Sequence, residues 1–446
     1  MPSSSSAVPD SDRSDRSVPS SLWRDRDFRS LWVGQTASQL GEHTSLLVLP
    51  LFAVLTLDAG AGELGVLRAV GQAPILLLSL FVGAWVDRWR TRTVMVLSDT
   101  GRTLALGAAA LAGFLGWLGL PALFVVVFAV GVLSVFFDVA YQSSLVRLVR
   151  RDQLVRGNSA LEGSRSAAQI GGPALGGALV SWLSAPVAAA VGAFFFTLSF
   201  LSIRRIRRSE AVPEVRELPE LRRPARTGRR IHEGLRFVVG DTSLRAVCLA
   251  SAAFQFSFAA LMTVHLLFLP RELHLSGTVV GLSLAATGPG ALLGSLLAAR
   301  LPGRFGHGAV LVSAAALGDG AFLWVPALHG SSATTVAALL AVGFVFGAGG
   351  QLVNVTVMAV RQAVTPDGMQ GRAAATITFV GMGLTPLGSL LGGYLAQEWG
   401  LRTSLLVTAA GMLLSPVVMA LSPLARLGRT LPEPAEPAER TVRASD

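Results

Sequence analysis

The chain has 446 residues, 52% hydrophobic and 14% charged, with a mean hydropathy of +0.58. Soluble domains carry roughly 25% charged residues, so an ordinary water-soluble enzyme is a poor fit, and the single cysteine, Cys248, leaves no disulfide framework. The net charge of +10 comes from arginine alone, because no lysine occurs; the arginines gather between apolar stretches and not on one polar face, which argues against nucleic-acid binding.

Residues 1–27 are polar, Ser-rich and dotted with arginine, without the apolar core of a signal peptide. They read as a disordered cytoplasmic tail, as does the segment 425–446. Between them lie twelve apolar spans: 28–57, 63–85, 93–116, 121–147, 157–182, 186–203, 242–269, 277–300, 308–327, 333–360, 369–396 and 401–423. Each is near the length of about 20 residues that a helix needs to cross a bilayer. Only helices and closed barrels satisfy the backbone in lipid, and these spans are too long for barrel strands. The expected fold is therefore all-α and membrane-integral. Six helices in 28–203 form one bundle and six in 242–424 form another, joined by an Arg-rich cytoplasmic linker, 204–241.

The connections alternate in charge. Even-numbered ones carry Arg88, Arg90 and Arg92, then Arg147, Arg150, Arg151 and Arg156, then the linker, then Arg300 and Arg304, then Arg361 and Arg372. Odd-numbered ones hold little beyond Asp58, Arg271 and Arg402. The positive-inside rule then puts both termini in the cytoplasm, and we expect a bacterial plasma-membrane protein that works as a monomer. The linker arginines, among them Arg204, Arg205, Arg222, Arg223, Arg229 and Arg230, read first as a solvated topology signal. The stretch Ile231–Val239 can also lie as an amphipathic helix on an anionic leaflet.

The two halves echo each other at an offset near 215. Arg147–Leu154 and Arg361–Met369 follow the fourth and tenth spans, and Asp152 aligns with Asp367. A small-residue helix with a proline and paired glycines follows each. Doubled halves of six helices are how transporters build a midplane site between two rocking bundles.

Three segments carry a family resemblance: the turn Gly83-Ala-Trp-Val-Asp-Arg-Trp-Arg-Thr-Arg92; Gly172-Pro173 with Gly176-Gly177 in the fifth span; and Val364–Ala373. Taken together over about residues 28–425, the chain resembles the major facilitator superfamily, in its macrolide-efflux and siderophore-exporter-like branch. The resemblance implies a cytoplasmic gate of Gly83, Asp87, Arg88, Arg90, Arg92, Asp99 and Arg102, with Asp87 set against the start of the eleventh helix near Gly371 and Arg372. It implies an exporter motif at Gly172, Pro173, Gly176 and Gly177, where a proline bend and close packing shape a gate. Three departures stand out. Pro302 occupies the position of Asp87 in the second half, Ala168 and Ser159 replace upstream glycines of the exporter motif, and the fourth span has no interior arginine.

Ionisable residues inside a span are functional candidates by default. At 1.5 Å per residue Glu42 lies about 20 Å from Arg29, close to the midplane, and Asp319 about 16 Å from Gly308. Glu42 is the leading proton-coupling candidate, followed by Asp138 and Asp319; the plain alternative for Glu42 is pairing with an arginine such as Arg68. Arg68 and His265 are placed near the outer boundary, where they can snorkel. Asp99 with Arg102, and Glu162 with Arg165, sit three apart and read also as structural pairs. Candidate cavity residues are Gln35, Gln39, Phe136, Phe137, Tyr141, Phe254, Gln255, Phe258, Gln351 and Asn354; Phe254 and Phe258 share a helix face.

The expected function is secondary active, proton-driven export of a bulky, mostly apolar small molecule such as an antibiotic, drug or siderophore, that is, an antiporter of the multidrug-resistance kind. Two alternatives keep the same fold: an importer or exchanger of a polar metabolite, and a non-transporting membrane sensor. An enzyme is not expected, because the six histidines are scattered and Cys248 has no evident partner. No phosphate-binding Gly-rich loop with Lys-Ser/Thr occurs, so a primary pump is disfavoured. No metal or cofactor is expected.

Overall fold

The computed structural model describes residues 22–86, 89–148, 153–207, 235–366 and 369–430. The described residues form helices and their connections, with no strand among them. In the first half these are α1 (Arg26–Leu55), α2 (Ala61–Val86), α3 (Thr91–Phe114), α4 (Leu120–Leu148), α5 (Leu154–Trp182) and α6 (Ala185–Arg204). In the second half α7 is Thr242–Arg271 and α8 is Gly277–Ala285 continued by Thr287–Ala298. Next come α9, which is His307–Gly320 running into a 3-10 stretch at Ala321–Ala327, and α10, Ala333–Val364. Last are α11, Gln370–Gly383 with Thr385–Trp399, and α12, Leu401–Met412 with Leu414–Leu421.

Ten of the twelve are long and apolar enough to cross a membrane by composition alone. The remaining two, α1 and α5, have 30 and 29 residues. That gives about 45 Å at the α-helical rise, so polarity and not length sets them apart. The expected spans fall on these helices within a few residues. The first helix stops at Leu55, short of residue 57, because the chain turns at Asp58, which takes a left-handed backbone (φ 49°). It starts early, at Arg26, because the Asp25 carboxylate caps it, accepting from the backbone N–H of Asp27 (2.8 Å) and Phe28 (3.4 Å). Most of the linker, residues 208–234, lies outside the described residues, as do Asp152 and Asp367; residues 235–240 are helical.

Three of the breaks have one cause. Ala286 precedes Pro289 by three residues, Leu384 precedes Pro386 by two and Leu413 precedes Pro416 by three. Proline removes an N–H donor and its ring crowds the carbonyl of the preceding turn, so the helix yields just upstream.

Within the first half, α1 packs on α5 and α6, and α3 on α4 and α6; within the second, α7 packs on α11 and α12, and α10 on α8 and α9. The halves meet most closely along α5–α8 and α2–α11. Both seams depend on glycine. A Cβ on Gly177 would stand 2.1 Å from the carbonyl oxygen of Gly277, and a Cβ on Gly393 would stand 2.7 Å from that of Ala61 and 2.9 Å from the Cα of Gly65. Both seams lie at the end bearing the sparsely charged odd-numbered connections. There the Arg271 guanidinium, from the second half, donates to Asp58 (3.0 Å) and to the Ala59 carbonyl (2.8 Å) of the first. The molecule is thus closed at the Arg-poor end.

Candidate transport cavity and buried charge cluster

A cavity of about 510 Å³ lies between the halves, below the two seams. Its walls come from α1, α2 and α5 on one side and α7, α8 and α10 on the other. The lining is mostly apolar (Leu47, Ile170, Met262, Leu266, Leu284), with Gln169, Gln351, Thr287 and Arg68 as scattered polar groups. Such a surface holds an apolar body and orients it with few hydrogen bonds. Ser166, Gln169, Leu292 and Ser295, on the lining nearest the Arg-rich end, are exposed. The cavity therefore opens toward that end.

One wall is an aromatic stack. The rings of Phe254 and Phe258 lie 5.5 Å apart and nearly parallel, Phe258 and Phe346 5.4 Å apart, and Phe322 meets Phe346 edge-on at 5.1 Å. His265 stands edge-on to Phe322 at 5.6 Å; it is buried, and so does not reach the boundary by snorkelling. Of the residues expected from the sequence, Phe258 and Gln351 line the cavity, with Phe254 stacked behind. The others are placed elsewhere. Gln35 and Gln39 are sealed inside the first bundle. Phe137 is wholly buried under the Arg102 guanidinium, 4.5 Å from its ring centre. Phe136 stacks on Trp85 at 6.2 Å, Tyr141 packs against the core formed near Val86 and Met95, Gln255 is half-buried outside the cavity lining, and Asn354 is exposed. Sequence reasoning missed Phe346 and Phe322. A signal for Phe346 existed, since it shares a helix face with Gly350, next to Gln351.

A second pocket, about 340 Å³, opens within the first bundle between α1, α2 and α4. It shares Leu46 and Arg68 with the central cavity. Glu42, Asp138 and Gln72 face it. Among the described residues three buried polar atoms around it have no hydrogen-bond partner: Glu42 Oε2, Gln72 Oε1 and Arg68 Nε. Arg68 thus points inward, between the two cavities, and not to the boundary; the arginine beside Glu42 is Arg102.

Arg102 organises the core of this bundle. It is fully buried. Its guanidinium donates to Asp99, to Ser38 Oγ (3.0 Å) and to Ser134 Oγ (3.2 Å), and its ion pair with Glu42 Oε2 spans 3.7 Å. Asp99 also accepts from Ser199 and from Ser38 (3.4 Å). The guanidinium plane is sandwiched by Phe137 and Phe196, at 4.5 and 4.4 Å. A planar, weakly hydrated cation suits this slot where an ammonium would not.

The remaining expected residues fall as follows. Asp87 and Arg88 lie outside the described residues, while Gly83 belongs to α2. Arg90 precedes α3 and is exposed; Arg92 donates to the Arg204 carbonyl at the end of α6. Asp99 and Arg102 sit two and three turns inside α3, deeper than a surface gate. Gly172 and Gly176 pack on α1 at His43 and Thr44; on the next face, Gly177 and the Pro173 carbonyl meet Gly277 and Gly281 of α8. The exporter-like segment is therefore a joint between the halves. Asp319 is buried on α9, where its neighbour Gly318 packs against Gly349 of α10; it lines neither cavity.

Residues 18–440 match the profile of a family described as transmembrane secretion effector. Among curated proteins the chain is 28% identical over 398 residues to the multidrug efflux pump Tap of Mycobacterium tuberculosis, covering 83% of this chain and 87% of that one. It is 26% identical over 375 residues to the uncharacterized MFS-type transporter y4rN of Sinorhizobium fredii, covering 83% and 88%. Among solved structures, a bacterial homologue of the iron transporter ferroportin in an inward-facing state superposes with a TM-score of 0.70 at 18% identity, covering 88% of this chain and 98% of that one. An all-helical fold around a central cavity and a profile match along nearly the whole chain agree: this multi-pass membrane protein belongs to the transmembrane secretion effector family of major facilitator superfamily transporters.

Proposed function

We propose that the protein exports a bulky, mostly apolar small molecule across the bacterial plasma membrane, by alternating access and in exchange for protons. The observation that carries this reading is the central cavity, apolar and aromatic, sealed by two glycine seams at one end and open at the other. With the Arg-rich end in the cytoplasm, this is the cargo-loading state. Its lining suits an apolar body better than a polar metabolite. The likeness to Tap, a multidrug efflux pump, points the same way.

Glu42 is the coupling residue in this reading. It stands in the pocket adjoining the cavity, within ion-pair distance of Arg102, with one oxygen free of hydrogen bonds. Proton binding at Glu42 releases Arg102 to Asp99 alone, and proton loss restores the shared pair. Asp138 lines the same pocket and is the second carrier; Asp319 is a third, remote candidate. Asp87, Arg88, Arg90 and Arg92 form the cytoplasmic gate of the opposite state. No enzymatic step is required, and a single chain holds the whole pathway.

The test is extrusion of a panel of fluorescent apolar compounds from a drug-sensitive bacterial host, with and without an uncoupler. Extrusion that stops when the gradient collapses supports the reading; extrusion that continues unchanged removes proton coupling. No movement of any apolar compound, with uptake of a polar metabolite instead, replaces export with import.

A further inference from the structure

A third cleft, of about 880 Å³, lies at the Arg-rich end of the first bundle and shares no lining residue with the two cavities above. It forms where the starts of α1 and α3 meet the end of α6. Six arginines line it: Arg26, Arg29, Arg92, Arg204, Arg205 and Arg207. Among the described residues Asp27 is the one carboxylate in the lining, and it accepts from the Arg207 backbone N–H at 2.9 Å. Three chain segments remote in sequence thus bring an excess of positive charge into one concavity. Side-chain-to-backbone hydrogen bonds help to hold it: Arg92 donates to the Arg204 carbonyl, and Ser202 Oγ to the Ser30 carbonyl at 2.9 Å. The guanidinia of Arg26, Arg29, Arg204 and Arg205 are left on exposed residues.

The level of this cleft in the membrane can be read from its neighbours. On α1 the exposed Arg29 is followed one turn later by exposed Val33; on α6 exposed Leu201 is followed one turn later by exposed Arg204 and Arg205. Both helices change from outward apolar to outward cationic at the same height. Beside them Trp23, half exposed, stacks edge-on against Trp32 at 5.2 Å. Tryptophan so placed marks the headgroup layer. A cationic concavity with an apolar rim at that layer fits a headgroup phosphate above an acyl chain. Guanidinium forks bind phosphate oxygens in pairs.

We propose that this cleft binds the phosphate of an anionic phospholipid, through Arg29 and Arg205 with Arg26, Arg204 and Arg207 around them. The proposal rests on the orientation given above, which makes the leaflet the cytoplasmic one, but not on transport.

Native mass spectrometry of the purified full chain tests it, with cardiolipin, phosphatidylglycerol, phosphatidylcholine or inorganic phosphate as the probe. The intact protein should retain both anionic lipids in preference to phosphatidylcholine. R29Q/R205Q should weaken retention about thirtyfold, two arginines at the usual worth of a cation near an anionic headgroup. R300Q/R304Q, outside the cleft, should retain lipid as the unaltered chain does. If R29Q/R205Q does not fold, R26Q/R207Q serves, with the same expectation. Equal retention by the cleft variants overturns the proposal. So does occupancy by inorganic phosphate alone with the same arginine dependence, since the ligand is then a soluble anion. An unaltered chain that extrudes cargo but shows no preference for anionic lipid removes this inference only; an unaltered chain that retains anionic lipid but extrudes nothing removes only the export reading.

Discussion

The Glu42 carboxylate stands 3.7 Å from the Arg102 guanidinium, and Arg102 is already bonded to Asp99. One cation therefore serves two carboxylates of unequal standing. Asp99 is tied by Ser199 and Ser38 and is wholly buried. Glu42 is 23% exposed at the side chain and borders an open pocket. The geometry makes Asp99 the fixed partner and Glu42 the exchangeable one.

Removing Asp99 should be the more damaging change. Asp99→Ala leaves Arg102 buried in the bundle without its fully buried counter-ion, a loss of about 3–5 kcal/mol. Thermal unfolding in detergent should show a clear drop. A melting temperature equal to that of the unaltered chain would mean that Glu42 alone satisfies Arg102.

Glu42→Gln should act on transport and spare the fold, because Asp99, Ser38 and Ser134 still hold Arg102. We expect a near-normal melting temperature and loss of gradient-driven extrusion. Proteoliposomes with an imposed pH gradient give the measurement; extrusion at the normal rate would move the coupling role to Asp138 or Asp319.

The seams can be probed in pairs. The Thr278 backbone N–H donates to Ser181 Oγ at 2.7 Å across α5 and α8, so cysteines at 181 and 278 should cross-link readily. Adding Gly177→Ala puts a methyl group where the Gly277 carbonyl stands. The helices must part, and cross-linking should slow. An unchanged rate would show that the seam is looser than its glycines imply.

Phe258→Ala and Phe346→Ala should weaken handling of flat aromatic cargo. A stacked ring pair is worth about 0.5–1.5 kcal/mol beyond its area, so a fall in apparent affinity of up to about tenfold is expected for each. Phe137→Ala should behave differently, lowering stability through the lost face on Arg102 and leaving cargo affinity unchanged. Concentration-dependent extrusion rates separate these two outcomes.

Membrane residence and the all-helical fold were legible in the linear chain. Lipid leaves a backbone few choices, so runs of apolar residues and charged turns mark the helices almost without ambiguity. Phe254 and Phe258 were paired correctly for a similar reason, since helical spacing alone puts them on one face. Which way a face points was a different matter. Gln35, Gln39 and Phe137 sit on helices that line a cavity in this fold, yet they turn into the bundle. Arg68 turns inward beside the cavity, and the partner of Glu42 is Arg102, 60 positions away. A span embedded in lipid and protein is apolar on nearly every side, so no hydrophobic stripe reveals its rotation. Rotation is set by which glycines let two backbones touch and by which carboxylate reaches a buried guanidinium. Both are contacts between distant segments, and they exist only once the helices are packed.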